Sequence, residues 1–343
     1  MMPLVGMTPL DTMLPVLLAL VLGVTVVMYV VLDGFDLGIG ILFPLFRHES
    51  ERDQVMNSVA PFWDGNETWL VLGGVTLWAA FPKAFAVIMP AMYIPVIVLL
   101  LALIFRGVAF EFRWIAKPHH HAWDVAFAAG STLAAFAQGL ILGGLLQEVT
   151  VRDGQFAGAP LDWLTPFSVM CAVALVAGYA LLGATWMMLK IEGEAAAHAR
   201  RYAAPLLFAL LGFIALVSVW TPLQFPRIAE RWFSMPQMLV LLPVPLLTAL
   251  VAWLCWVGIR AARALMAFLS AIGLFVLAFG GLVVSNMPYL VPPSMTIWDA
   301  ASHPSSQVFY LIGAAILLPM ILGYTVMMFW LFRGPIKAGE GYH

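Results

Sequence analysis

Apolar residues in this chain fall in long unbroken stretches, and polar residues collect in the short gaps between them. Nine stretches stand out, at about 12–46, 58–81, 84–114, 123–148, 162–190, 202–221, 236–259, 263–287 and 306–332. A membrane-spanning strand alternates apolar and polar positions over about 10 residues; these stretches do not alternate. Only helices and closed barrels span lipid, because it offers no partner to backbone N–H and C=O groups. Most of the stretches exceed the roughly 20 residues that cross a bilayer, and the first and third are long enough to tilt or to project into water. The pattern predicts an all-α polytopic membrane protein with nine transmembrane helices, residues 1–343 forming a single integral-membrane domain.

Charge in the gaps sets the orientation. After odd-numbered stretches lie Arg47 and Arg52; Arg106, Arg113 and Lys117; Lys190, Arg200 and Arg201; Arg260 and Arg263; Arg333 and Lys337. The other side holds Lys83, Arg152, Arg227 and Arg231, a split of twelve to four that accounts for all 16 Lys and Arg. The positive-inside rule then puts the N-terminus outside (periplasmic, for a bacterial inner membrane) and the C-terminus in the cytoplasm. An odd number of crossings agrees. The gaps are too short for a soluble domain, and the longest outer ones are about 149–161, 222–235 and 288–305. Pro288, Pro292, Pro293 and Pro304 mark the last of these as irregular. Residues 192–201, on the inner side, read as a helical extension. The first stretch is too long for a signal peptide and lacks a basic leader.

Composition agrees: 63% of residues are hydrophobic and 10% charged, against about 25% charged in soluble proteins. The net charge of −2 gives no reason to expect a nucleic-acid partner; the lipid bilayer is the expected one. Cys171 and Cys255 lie inside apolar stretches and read as small buried hydrophobes. His48, His119, His120, His121, His198, His303 and His343 sit in loops, near span ends or at a terminus. A mid-membrane haem held by paired histidines is therefore not available from this chain alone, and no metal or cofactor is expected to be bound by it alone. The run His119-His120-His121 after Pro118 reads as a solvated loop. The 13 tryptophans read mainly as interfacial belts, and Met187-Met188 and Met327-Met328 as apolar filler.

The acids are the unusual feature. Asp33 and Asp36 interrupt the first stretch, Asp64 and Glu67 head the second, and Arg106 lies inside the third. Each acidic pair is three residues apart, so each shares one helix face. Gly34 and Gly38 form a small-xxx-small step beside the first pair, which brings another helix close and turns the acids toward protein. At about 1.5 Å per residue, Asp36 lies roughly 16 Å and Asp33 roughly 21 Å from Arg47, and Arg106 about 10 Å from Arg113. Asp64 lies about 9 Å in if its helix begins at Ser58. This is a ladder of carboxylates with one arginine, rising from the cytoplasmic face to mid-depth. Ionisable groups at such depth are costly and mark ion or proton routes, or pair with one another. Three readings stay open: proton delivery, the carboxylate-lined site of a proton- or ion-coupled secondary transporter, and a purely structural ion-pair network. Paired broken helices in inverted halves, a transporter signature, are not evident.

Asp33-Gly34-Phe35-Asp36-Leu37-Gly38, the run Asn57-Ser58-Val59-Ala60-Pro61-Phe62-Trp63-Asp64-Gly65-Asn66-Glu67-Thr68-Trp69, and Phe105-Arg106-Gly107-Val108-Ala109-Phe110-Glu111-Phe112-Arg113 resemble subunit II of cytochrome bd-type quinol oxidases. Ser294-Met295-Thr296-Ile297-Trp298-Asp299-Ala300 looks like that family too. The likeness is dense over 30–115 and patchy beyond it, and Thr68-Trp69 with the compact loops is most similar to the cyanide-insensitive branch. The resemblance implies two four-helix bundles plus one peripheral helix. It implies a heterodimer with a haem-bearing subunit I that holds haems b and d and the quinol-oxidising loop, and a small single-helix subunit beside them. The complex would oxidise quinol, reduce O2 to water and draw protons from the cytoplasm. This chain would hold no catalytic residue; Asp64 matches the family's proton-entry acid, and with Glu67, Asp36, Asp33 and Arg106 of the ladder it makes up the expected proton path. Gly34, Gly38, Trp63, Asn66, Trp298 and Asp299 fall on motif positions with structural roles. A structural quinone or lipid in a groove of this subunit is also implied.

Overall fold

The computed structural model describes residues 9–116 and 119–336. Lys117, Pro118, Lys337 and His343 lie outside the described residues. In chain order the elements are α1 (Pro9–Leu42) with a 3-10 turn (Phe43–Leu45), α2 (Glu49–Asn57), α3 (Trp63–Ala80), α4 (Pro82–Ala91), α5 (Tyr93–Ile115) and α6 (His121–Leu146). A short antiparallel pair, β1 (Val151–Arg152) with β2 (Gln155–Phe156), leads to α7 (Pro166–Lys190), α8 (Glu194–Gln224), α9 (Pro226–Phe233), α10 (Gln237–Leu241), α11 (Pro243–Arg260) and α12 (Ala264–Asn286). A second pair, β3 (Tyr289–Val291) with β4 (Met295–Thr296), leads through α13 (Ile297–Ala300) to α14 (Pro304–Leu331).

Eight helical segments among the described residues are long and apolar enough to cross a membrane: α1, α5, α6, α7, α8, α10 with α11, α12 and α14. The expected stretch 58–81 is outside this set. It forms α3, of 18 residues, whose first turns carry Asp64, Asn66 and Glu67. Its helix also starts later than the sequence suggested, at Trp63 rather than Ser58. Pro61 has no N–H and disfavours helical geometry at Ala60, so residues 58–62 form turns instead. The stretch 84–114 is likewise broken, at Met92, between α4 and α5; Pro90 and Pro95 flank the break and each removes a helical donor. The extension expected over 192–201 is helical from Glu194, after Gly193 takes a left-handed φ of 83° that turns the chain out of α7.

α1 and α7 form the centre. α1 packs on α3, α6 and α7, and α7 also touches α6, α8 and α12. At their crossing a Cβ on Gly38 would run into the Tyr179 carbonyl, and one on Gly34 would stand 2.8 Å from the Tyr179 ring. The small-xxx-small step thus brings the two backbones into contact, where packing is the main attraction between helices in lipid. α5 meets α6 in the same way, with a Gly130 Cβ falling 2.7 Å from the Ala102 carbonyl. Phe35, Phe62, Trp186 and Phe329 stack against each other beside the α1–α7 seam.

One end of the molecule is closed by the β3–β4 pair and α13. Thr296 and Asp299 cap each other, with Thr296 Oγ1 donating to Asp299 Oδ2 at 2.6 Å, and Trp298 Nε1 donates to the Thr12 carbonyl at 3.1 Å. At the other end Lys190 donates to the carbonyls of Phe332 and Gly334, and Ile336 N to the Lys190 carbonyl at 2.8 Å. α14 lies on the flank, touching α1 and α3. It is fastened near its start by Gln307 Nε2 to the Ser302 carbonyl at 2.6 Å and by a 2.6 Å Thr76–Tyr310 hydroxyl contact. Its outer face is bare.

Candidate functional site

α5 carries Arg106 into the core, where its side chain is 0% exposed. It fits because Gly130 of α6 lies against its backbone and Phe110, one turn on, takes its guanidinium over the ring at 5.4 Å. Trp63 stacks on the other side of that contact, parallel to Phe110 at 5.0 Å. Arg106 Nη1 donates to Glu67 Oε1 of α3 at 2.8 Å and stands 3.7 Å from Asp33 Oδ1 of α1. Glu67 is 24% exposed at the side chain and Asp33 is buried. The arginine therefore joins a wetter acid to a dry one. Asp36, also buried, accepts from Asn66 Nδ2 at 2.7 Å. Among the described residues, both carboxyl oxygens of Asp33, Asp36 Oδ1 and Arg106 Nε and Nη2 are buried without a hydrogen-bond partner.

Sequence reasoning spaced these groups as separate rungs. The structure instead brings Glu67, Arg106 and Asp33 into one cluster, with Asp36 and Asn66 alongside. Asp64 stands apart. It lies in the first turn of α3, exposed, and makes no ion pair among the described residues. Asp64, Thr68, Val71, Val75 and Trp78 form one exposed stripe along α3. The expected depth of Asp64 inside its helix is corrected accordingly: the turns at 58–62 make it a helix-start residue. Gly34 and Gly38 sit in the α1–α7 seam, and Trp298 and Asp299 hold the opposite end of the molecule, far along the chain from the acids.

Two groups were missed. On the far side of Asp33, Tyr29 lies one turn away on α1. Gln138 Nε2 of α6 donates to the Tyr29 hydroxyl at 2.7 Å, and Tyr179 of α7 donates to Gln138 Oε1 at 2.7 Å. A glutamine inside an apolar run, and a tyrosine four residues before Asp33, were the available signals. The second group lies at the α5–α6 turn. Arg113, buried, donates from Nε to Asp124 Oδ1 at 2.6 Å and from Nη1 to Asp53 Oδ1 at 2.5 Å. Arg52 donates to Asp124 Oδ2 at 3.0 Å, with His120 nearby. Among the described residues no group of three or more His, Cys, Asp and Glu side chains is arranged to hold a metal ion.

Fold and site together define a multi-pass helical membrane protein with a buried, charged polar line through its first helices. The chain belongs to the cytochrome bd terminal oxidase subunit II family, whose model matches residues 14–332. It is similar to the cytochrome bd-I ubiquinol oxidase subunit 2 of Escherichia coli strain K12, with 28% identity covering 94% of each chain. It is also similar to the cytochrome bd ubiquinol oxidase subunit 2 of Bacillus subtilis, with 29% identity covering 90% of this chain and 93% of the relative. In fold it matches a chain of the bd oxidase from Geobacillus thermodenitrificans, with a TM-score of 0.76 at 16% identity over 93% of this chain and 98% of the other. It is thus a subunit of a terminal oxidase, a haem-binding oxidoreductase complex formed with subunit I.

Proposed function

We propose that this chain holds the haem-bearing subunit I in place and carries protons from the cytoplasmic side toward it, within a complex that oxidises quinol and reduces O2 to water. The observation that carries the reading is the contact of Arg106 with a partly exposed Glu67 on one side and a buried Asp33 on the other. Three carboxyls, Asp33, Asp36 and Glu67, stand around one guanidinium. A buried charge needs a partner, so the surplus is met by bound protons and the cluster is a proton store. Arg106 steers which acid is ionised, and the open polar atoms beside it need ordered water, through which a proton passes from Glu67 inward. Asp64, exposed on α3, is the collecting group. A carboxylate at membrane depth does not face lipid, so the stripe it heads belongs against subunit I.

In this reading α3 is the ninth crossing, paired with α1, α5 and α6 in one four-helix bundle. α7, α8, α11 and α12 form the second, and α14 is the peripheral helix. The termini are periplasmic and cytoplasmic respectively, in a bacterial inner membrane. Haems b and d sit in subunit I, a small single-helix subunit joins the pair, and a structural quinone or lipid fills a groove between the outer helices.

Asp64→Asn and Glu67→Gln in the purified complex test the reading. Oxygen uptake falls by about a hundredfold, the low end for loss of a positioned proton-transfer group, while haem absorbance per complex stays at wild-type level. Unchanged turnover in both variants refutes the path.

A further inference from the structure

The Tyr29–Gln138–Tyr179 trio lies beyond the acids that the proton reading uses. Its three members come from α1, α6 and α7, and both contacts through the amide are 2.7 Å. The trio has a direction. Amide nitrogen only donates and amide oxygen only accepts. Hydroxyls both give and accept, so the sense is set by Asp33, a carboxylate that only accepts: with the Tyr29 proton turned toward it, Gln138 Nε2 donates to the Tyr29 oxygen and Tyr179 donates to Gln138 Oε1. A hydroxyl has one proton to give. With its oxygen already serving as acceptor for Gln138, the Tyr29 O–H is left for the neighbour one turn along α1, which is Asp33.

Nothing polar carries the trio further along α1. Thr25, one turn beyond, is buried and returns its hydroxyl to the Leu22 carbonyl at 2.8 Å, and Leu18 and Leu14 beyond it are buried apolar residues. The trio is therefore a support for Asp33 and not a passage.

We propose that Gln138 is a positioning residue for Asp33: its amide, held between the Tyr29 and Tyr179 hydroxyls, fixes the Tyr29 oxygen and leaves that hydroxyl's proton for the Asp33 carboxyl. This rests on Asp33 taking part in the proton path. The groups that face Asp33 are Arg106 from α5, Glu67 from α3, Tyr179 from α7, and Tyr29 and Asp36 from its own helix. The nearest of the cations stands 3.7 Å away, beyond a hydrogen bond, and both Asp33 oxygens are buried without a hydrogen-bond partner among the described residues, so the Tyr29 hydroxyl one turn away is the donor left to orient the carboxyl.

The test compares Gln138→Met, Tyr29→Phe, their double variant, Gln138→Glu and Asp33→Asn in the purified oxidase complex. Turnover, haem absorbance and the carboxyl stretch in redox-difference infrared spectra are read, with Asp33→Asn assigning the band. Gln138→Met and Tyr29→Phe each lower turnover by about tenfold, the scale of one hydrogen bond to a charged group, and shift the Asp33 band with haem content unchanged. The double variant is no worse than either single one, because both remove the same contact. Gln138→Glu stays near wild type, since among so many acids it is protonated and offers the same acceptor and donor. An unshifted band in both single variants, or additive losses in the double, overturns the proposal. If Gln138→Met fails to assemble, Tyr29→Phe with Gln138→Glu decides it by the same band. Full activity in Asp33→Asn would instead sink the proton reading on which it rests.

Discussion

Asn66 donates from Nδ2 to Asp36 Oδ2 at 2.7 Å and ties α3 to α1 beside the charge cluster. The same amide nitrogen lies 3.4 Å from the Leu32 carbonyl, so one side chain bridges backbone and carboxyl of the central helix. Asn66→Leu keeps the volume but leaves a buried carboxyl without its donor. The expected cost is about 1–3 kcal/mol, seen as a lower thermal midpoint of the purified complex. A midpoint equal to wild type would show that the amide is dispensable.

Arg106 is the counter-charge to Glu67 and Asp33, whereas Asp64 is exposed and unpaired among the described residues. Removing one member of a buried ion cluster costs about 3–5 kcal/mol; neutralising an exposed acid costs far less. Arg106→Leu and Asp33→Asn therefore reduce the yield of assembled heterodimer more than Asp64→Asn does. Equal yields of the three variants, measured by subunit stoichiometry after solubilisation, would contradict this.

Gly38 and Gly74 make a matched pair. A Cβ on Gly38 collides with α7, while one on Gly74 has no heavy atom within 4 Å. Gly38→Ala must push α1 and α7 apart, at the roughly 1–3 kcal/mol or more of an overpacked core, and Gly74→Ala is tolerated. Complex yield and heat stability compare the two directly.

Arg113 is buried between Asp53 and Asp124, while Arg52 is 24% exposed and shares Asp124. Arg113→Gln is expected to destabilise the complex by about 3–5 kcal/mol and Arg52→Gln by about 0–1 kcal/mol, as for a solvent-screened pair. Chemical denaturation of the solubilised complex reads the difference. Arg52→Gln as harmful as Arg113→Gln would show that the two cations share the load equally.

The helices were legible because lipid demands unbroken apolar runs, and the Gly34–Gly38 seam was legible because small residues at that spacing have one main use. The acids stood out by cost. What escaped depended on distance along the chain. Tyr29, Gln138 and Tyr179 lie in three separate spans, and only folding puts them in a row. Asp53 and Asp124 are far apart in sequence, and only the packing of α2 and α6 brings both to Arg113. The exposure of Asp64 turned on Pro61, a backbone effect outweighed by the motif around it. The break at Met92 was hidden for a related reason: Pro90 and Pro95 lie inside a run whose hydropathy never falters.

α14 is pinned near its two ends and bare along its outer face between them. Pro319 sits in the bare stretch, exposed, and offers no N–H to the Ala315 carbonyl. The helix can therefore bow at that point while both fastenings hold. A bilayer of different thickness would thus meet its most pliable point in α14, away from the seam that holds Asp33 and Asp36.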